Sequence, residues 1–470
     1  MSIQPLDGAT ATLVPAAGRE QRTPAGRRMA PVVSRLQPPH WLLRFIFVEM
    51  ACQLLLLLPS IAGSRQVIRS IAFAASLLLA LLLPGPRVDH PSRGVAILAL
   101  LVIGVSIFHP TTNTILAGVA TLALNLAILG PIFWVPRLRI DLATVRRLFF
   151  VFWAFQTASA FFGVLQVYFP GRFQPATTII YDDSTIDSLR ITLANGARIV
   201  RPMGLTDTPG GAGMGAVYSI LFAAGFLLDR PRFFFRLALF ASMLVGCFTL
   251  YLCQVRSMLV MLVISFIAMT VPFVAQRRLG RLFAVVLPLA AAGIVGFVLA
   301  VTIGGDAVMG RLSSLFDGDP RDIYYANRGN FVKYTFVDLL PEYPLGAGLG
   351  RWGMMGTYFG DRFNAASPPL WAEVQWTGWL FDGGVALMIL YATALVLALR
   401  EAMRIAVRVA FVGDQELNKW AAVLAGYGVS VVAGTFAATP FAGTLGIDFW
   451  LLMATVFAAS RQLSNTDPTR

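Results

Sequence analysis

Residues 237–275 read LALFASMLVGCFTLYLCQVRSMLVMLVISFIAMTVPFVA. Two apolar runs, 237–253 and 258–275, stand either side of Gln254-Val-Arg-Ser257. Each run approaches the ~20 apolar residues that an α-helix needs to cross a bilayer core. Lipid offers the backbone no hydrogen bonds, so a spanning segment in a chain of this pattern is helical. The short junction turns the second helix back beside the first. Arg256 then stands at the edge of the hydrocarbon, where a guanidinium is costly. It either snorkels to the interface or has a task there.

The same pattern extends along the chain. Apolar runs occur at about 42–62, 67–84, 94–108, 114–135, 148–169, 210–228, 237–253, 258–275, 282–303, 372–399, 420–438 and 444–460. The sequence therefore predicts an all-α polytopic membrane protein with about twelve transmembrane helices. Of the 470 residues, 57% are hydrophobic and 13% charged. Soluble chains carry roughly 25% charged residues, so charge has been removed from the runs and kept between them. The net charge of +13 comes from Arg in short junctions, which argues for membrane orientation and against a nucleic-acid partner. Cys52, Cys247 and Cys253 all lie in apolar runs and offer neither a disulfide framework nor a zinc set.

Orientation follows from the basic junctions. Arg87 and Arg93; Arg137, Arg139, Arg146 and Arg147; Arg230, Arg232 and Arg236; Arg277, Arg278 and Arg281; and Arg400, Arg404, Arg408 and Lys419 all fall on one side. By the positive-inside rule that side is cytoplasmic. Both termini join it, in the inner membrane of a bacterium. Residues 1–41, rich in Pro, Ala, Gly and Arg, read as a disordered cytoplasmic tail, and 461–470 as a second one.

Two long loops, about 170–209 and 304–371, face the periplasm in this topology. The first ends at Pro209-Gly-Gly-Ala-Gly-Met-Gly215. The second is too long to be structureless and is expected to fold over the bundle. Within it, Phe331, Tyr334, Thr335 and Val337 of residues 328–340 have helical spacing.

Candidate chemistry lies on that side. Arg201, Arg256 and Arg328, with Lys333, are expected to bring cations to one membrane surface. Guanidinium forks bind phosphate oxygens in pairs and stay protonated, so a diphosphate at headgroup level is the ligand they suit. Glu373, in Trp371-Ala-Glu-Val-Gln-Trp376, is either a general base or the ion-pair partner of an Arg; the two roles are compatible. Asp182-Asp183 is a weaker candidate for a metal with a pyrophosphate. His40, His90 and His109 read as structural, and Glu49, Gln53, Asn125, Gln156 and Asp448 as helix-to-helix hydrogen-bonding groups.

Gln254-Val-Arg256-Ser257-Met-Leu, Arg328 ahead of Tyr343-Pro-Leu-Gly-Ala-Gly-Leu-Gly350, and Asp382-Gly-Gly384 in the tenth span together resemble the O-antigen ligase/polymerase superfamily. Its members include lipopolysaccharide O-antigen ligases and Wzy-type polymerases of O-antigen, capsule and exopolysaccharide. The resemblance covers most of residues 200–400. It implies a GT-C-like fold and a glycosyl transfer without metal or other cofactor. The donor would be a glycan on undecaprenyl diphosphate, and a hydroxyl of an acceptor glycan would attack its anomeric carbon. Arg256 and Arg328 would stabilise the leaving diphosphate, with Arg201 assisting, and Glu373 would take the hydroxyl proton. A chain-length regulator or other assembly protein would be a natural partner. Glu373-Val374 stands where the ligases have His-Asn, which favours a polymerase over a ligase. A lipid-linked oligosaccharide flippase or transporter would instead place ionisable groups near the midplane. A purely structural subunit would leave the two outer loops without a purpose.

Overall fold

The computed structural model describes residues 36–86, 88–175, 189–192, 196, 198–229, 231–304, 309–310, 319–412 and 415–466. A helix occupies each of the twelve apolar runs. In chain order these are α1 (His40–Leu55), α2 (Arg65–Leu82), α3 (Arg93–Ser106), α4 (Ile115–Trp134), α5 (Leu142–Tyr168), α6 (Gly211–Leu227), α7 (Phe233–Cys253), α8 (Arg256–Ala275), α9 (Leu279–Gly304), α10 (Gln375–Val412), α11 (Gln415–Gly434) and α12 (Thr444–Thr466). Seven of them (α2, α4, α5, α7, α8, α9 and α10) are long and apolar enough to cross a membrane, while α3 and α6 are apolar but shorter. The molecule is an all-α protein of membrane-spanning character. Among the described residues the only β-strands form a two-stranded antiparallel ribbon, β1 (Arg190–Thr192) and β2 (Arg198–Val200), and a single parallel bridge joins Gln37 to Leu138.

Helix boundaries depart from the apolar runs where a local group decides them. The first run was expected to continue to residue 62. Instead α1 stops at Leu55, and Pro59 opens a short 3-10 turn, Pro59–Ser64. The fifth helix starts six residues early because Asp141 caps it, accepting from Thr144 N at 2.8 Å and Thr144 Oγ1 at 2.6 Å.

Hydrogen bonds between connections show which helix ends lie together. At one end, Arg65 at the start of α2 donates to Leu56 O beyond α1, Asn113 N before α4 donates to Leu349 O, and Gln166 near the end of α5 donates to Gly204 O before α6. Gln375 N, opening α10, reaches Thr435 O and Ala438 O beyond α11, and Phe441 N before α12 donates to Gln375 Oε1. The opposite end collects the other termini. There Arg137 after α4 donates to Leu83 O after α2, Lys419 in α11 pairs with Asp229 after α6, Gln276 after α8 donates to Ala406 O in α10, and Gln462 in α12 donates to Leu138 O. These helices thus run up and down in alternation through one bundle.

Burial separates the centre from the periphery. Fourteen of the residues of α6 are buried, among them Tyr218, Phe222 and Phe226, so this helix is surrounded on all sides. In α9 only 17% of the spanning window is buried, against 56% in α4 and α10, which leaves α9 facing lipid. Inside the bundle Tyr218 Oη stands 2.6 Å from Tyr427 Oη and donates to Asp448 Oδ2 at 3.1 Å, tying α6, α11 and α12. Asp448 behaves as the sequence implied. Asn125 does not: its Nδ2 donates back to Thr121 O of its own helix.

The feature that shapes one end of the bundle is a break in α10. The helical path is interrupted at Gly383 (φ −164°, ψ 19°) and Gly384 (φ 64°, ψ −157°). The backbone groups released there are met by the turn at 344–347 of the large loop. Phe381 O accepts from Ala347 N at 2.9 Å, and Val385 N donates to Pro344 O at 3.0 Å. Gly384 is required twice over. Its φ lies in the left-handed region, and a Cβ there would sit 2.2 Å from Pro344 O. A broken helix is tolerated at membrane depth only where other protein satisfies the backbone, and the large loop provides that cover.

The rest of the loop is folded around this joint. Arg351, 6% exposed, donates to Ala347 O and Pro368 O, both at 2.9 Å. Thr111, Asn113 and Thr114, between α3 and α4, bond Ala347 O, Asp361 O, Ser367 O and Phe359 O. Trp352 Nε1 donates to Asp382 Oδ1 at 2.9 Å, immediately before the break.

Candidate functional site

Arg328 lies on a helix running from Pro320 to Glu342, inside the large loop. Two of its segments, Tyr325–Gly329 and Thr335–Leu339, are wound as π-helix, a winding frequent at functional sites. Each π turn shifts the phase of the residues that follow. Gly329, Thr335 and Leu339 are the buried residues of this helix among those described, with Thr335 Oγ1 2.6 Å from Thr377 Oγ1 of α10. Of the four residues with helical spacing, Phe331, Tyr334 and Val337 are 37%, 51% and 57% exposed, while Thr335 is buried. An exposed Tyr suits the interface between bilayer and water.

Arg328 Nη1 forms an ion pair with Glu373 Oε2. Glu373 stands two residues before α10 and is also held by its neighbour, Trp371 Nε1 donating to Glu373 Oε1 at 2.9 Å. The ion-pair reading of Glu373 is thus realised. The side chains of Arg328 and Glu373 are 41% and 22% exposed, so the pair is open to a ligand.

Arg201 follows directly on β2, and its backbone N donates to Leu189 O before β1. Its side chain is half-buried, and its Nε has no hydrogen-bond partner among the described residues. Burial lowers Arg201 below the usual guanidinium range. Burial, and then the charge of Arg201, lower Arg328. Arg201 is thus close enough to Arg328 to disfavour its charge. Both remain protonated at neutral pH, because arginine starts above 12.

Arg256 opens α8. The turn before it is tight, with Gln254 in the left-handed region at φ 53°, a conformation costly for a residue with a side chain. This turn packs on the start of α6: Val255 lies against Gly210, and Cys253 and Met258 against Gly213. The buried Cys253 is close enough to Arg201 for each to act electrostatically on the other. The Arg201 segment thus rests on the end of α7, beside the turn that carries Arg256.

Lys333 is not brought in. It lies five residues beyond Arg328 and is exposed, and among the described residues it makes no hydrogen bond or ion pair. Asp182 and Asp183 fall outside the described residues. His109 Nδ1 stands 2.9 Å from Thr111 Oγ1 of its own turn, a structural role. His90, at the opposite end, accepts from Ser92 N at 3.2 Å and packs on Phe457, and burial lowers it to about 4.

Two groups of residues here were missed by sequence reasoning. Arg69 of α2 donates to Asp207 through Nε at 3.1 Å and through Nη2, and to Tyr358 Oη at 2.9 Å. It ties α2, the Arg201 segment and the short helix Gly353–Phe359 together. Arg65 stands in the short junction between the first two apolar runs and Arg69 inside the second run, and neither was singled out. The second group is the Asp382–Trp352 bond at the helix break. Asp382-Gly-Gly was visible as a motif, but its partner was not.

No protein-family model matches the chain, and no curated protein does.

Proposed function

We propose that the chain is a membrane glycosyltransferase that polymerises a glycan carried on undecaprenyl diphosphate. The observation that carries this reading is the Arg328–Glu373 ion pair beside Arg201, at the end of the bundle where α10 is broken. It places fixed positive charge and a carboxylate at one surface, as displacement of a diphosphate by a hydroxyl requires.

The diphosphate of the donor binds Arg328 and Arg201, with Arg256 on the adjoining turn. Binding exchanges the carboxylate of Glu373 for phosphate oxygens at Arg328 and leaves Glu373 free to act. The acceptor hydroxyl oxygen attacks the anomeric carbon, the bond from that carbon to the diphosphate oxygen breaks, and Glu373 takes the hydroxyl proton. The leaving lipid diphosphate keeps the electron pair and is stabilised by the guanidiniums. No step calls for a metal or another cofactor.

The alternating helix ends support a bundle of about twelve spans in the GT-C-like manner. Arg137, Arg139, Arg146, Arg147, Arg277, Arg278 and Lys419 lie at the end opposite the site, which by the positive-inside rule supports a periplasmic face of a bacterial inner membrane for the site. In a deletion strain, single repeat units should accumulate on the lipid carrier. Arg328→Ala at normal protein level should reproduce the defect. Polymer of unchanged length in that variant overturns the assignment, and long chains retained on the carrier would indicate a ligase.

A further inference from the structure

The end of the bundle opposite the candidate site carries a second feature. A cleft of about 540 Å³ opens between α1, the start of α5, the end of α6 and the start of α7. Ligand pockets span roughly 300–1,000 Å³. Its walls are apolar and largely aromatic, including Phe47, Phe150, Phe226 and Phe235, and its two polar lining residues are Arg146 and Arg147. Phe47 and Phe150 are 58% and 47% exposed, so the cleft faces outward from the bundle into the layer that surrounds it.

The arginines are unusual for their place. They stand in the opening turns of α5, where the helix dipole favours acidic groups and disfavours basic ones. Both are exposed, and among the described residues neither donates a hydrogen bond nor joins an ion pair. Two of the acidic groups nearby are engaged. Asp141, which feels Arg147, is occupied as the cap of α5 by Thr144. Asp229 is bonded at 2.5 Å to Lys419, which in turn feels the charge of Arg146. Two exposed positive charges stand at the mouth of an apolar groove, and among the described residues neither is held by an ion pair.

We propose that this cleft is a binding site for an anionic phospholipid of the bilayer, with its phosphate on Arg146 and Arg147 and an acyl chain along the aromatic wall. Basic clefts between transmembrane helices on the cytoplasmic side bind anionic headgroups in this way. The site is remote from Arg328 and Glu373 and stands whether or not the proposed glycosyl transfer is correct.

Native mass spectrometry of the purified full-length protein tests it, with phosphatidylglycerol and phosphatidylcholine of the same acyl chains offered in competition. The wild type should retain phosphatidylglycerol in preference. The double variant Arg146→Ala/Arg147→Ala should lose that preference by roughly 30-fold, about fivefold for each guanidinium. Ala143→Trp, which fills the cleft and keeps both charges, should also weaken retention. Arg232→Ala/Arg236→Ala, which removes two charges from the same end outside the cleft, should leave it intact. Equal retention of the two lipids by the wild type overturns the proposal. So does an undiminished preference in a folded Arg146→Ala/Arg147→Ala protein, or a loss as large in the Arg232/Arg236 control.

Discussion

Replacing Gly384 by Ala tests the joint between the large loop and α10. Forcing a residue with a Cβ into the left-handed region costs roughly 1–2 kcal/mol. The new Cβ would also meet Pro344 O at 2.2 Å and Leu345 Cα and C at 2.7 Å. These are backbone atoms, so relief requires the 344–347 turn to withdraw. Withdrawal breaks Phe381 O to Ala347 N and Val385 N to Pro344 O, at roughly 0.5–1.5 kcal/mol each, or more if the groups stay unsatisfied. The total is about 2–5 kcal/mol. Gly353 supplies the control. It has nearly the same φ, 65°, but nothing lies within 4 Å of its Cβ position. Gly353→Ala should therefore cost only the conformational share, about 1–2 kcal/mol. Thermal unfolding of the two variants in one detergent measures the difference. Hydrogen exchange read at Ala347 and Val385 should accelerate only in Gly384→Ala. If both variants melt together and both amides stay protected, the loop does not complete the broken helix.

Arg69→Ala leaves Asp207, which is 6% exposed, without its guanidinium. Because Arg69 itself is partly exposed the loss should be about 1–3 kcal/mol; Asp207→Asn combined with Arg69→Ala should recover part of it in the same melting assay. Lys333→Ala should leave polymer length unchanged in cells, whereas Arg201→Ala should shorten it. A Lys333 defect as large as that of Arg201 would mean the anion site extends along the loop helix. His90 is buried with its pKa depressed to about 4, so between that value and about 6.5 the unfolded chain binds a proton that the folded chain refuses. Stability contributed by neutral His90 is present above pH 6.5 and lost as pH falls toward 4, by about 3 kcal/mol in all. His90→Gln should flatten that acid limb; an equally steep melting curve against pH would assign it to other groups.

What the sequence disclosed and what it hid divide along a physical line. Helices appear wherever apolar runs of sufficient length occur, because in such runs the helix is the one way to satisfy the backbone. Pro59 and Asp141 moved boundaries through local groups that are themselves readable. Arg328 and Glu373 were both legible as polar exceptions at one surface, and they meet. Lys333 was not separable from Arg328 by sequence, because the π turn Tyr325–Gly329 alters the phase between them. The same phase shift exposes Phe331, Tyr334 and Val337. Long-range joints left no local signal at all. Arg69 and Tyr358 are 289 positions apart, and neither carries a pattern that names the other. The turn at 344–347 and the glycines of α10 were each conspicuous alone, yet only the folded backbone shows that one fills the gap in the other.

The order of synthesis gives the Arg328–Glu373 pair a further meaning. Asp207 emerges after Arg69 and finds its counter-charge already made. Arg328 emerges before Glu373, and the turn at 344–347 before the gap it fills. The charged end of the bundle is therefore assembled from parts that wait for α10. A nascent chain that stops short of Glu373 and α10 holds Arg328 without the carboxylate that pairs with it. The last fifth of the protein decides when the first four fifths become a closed surface.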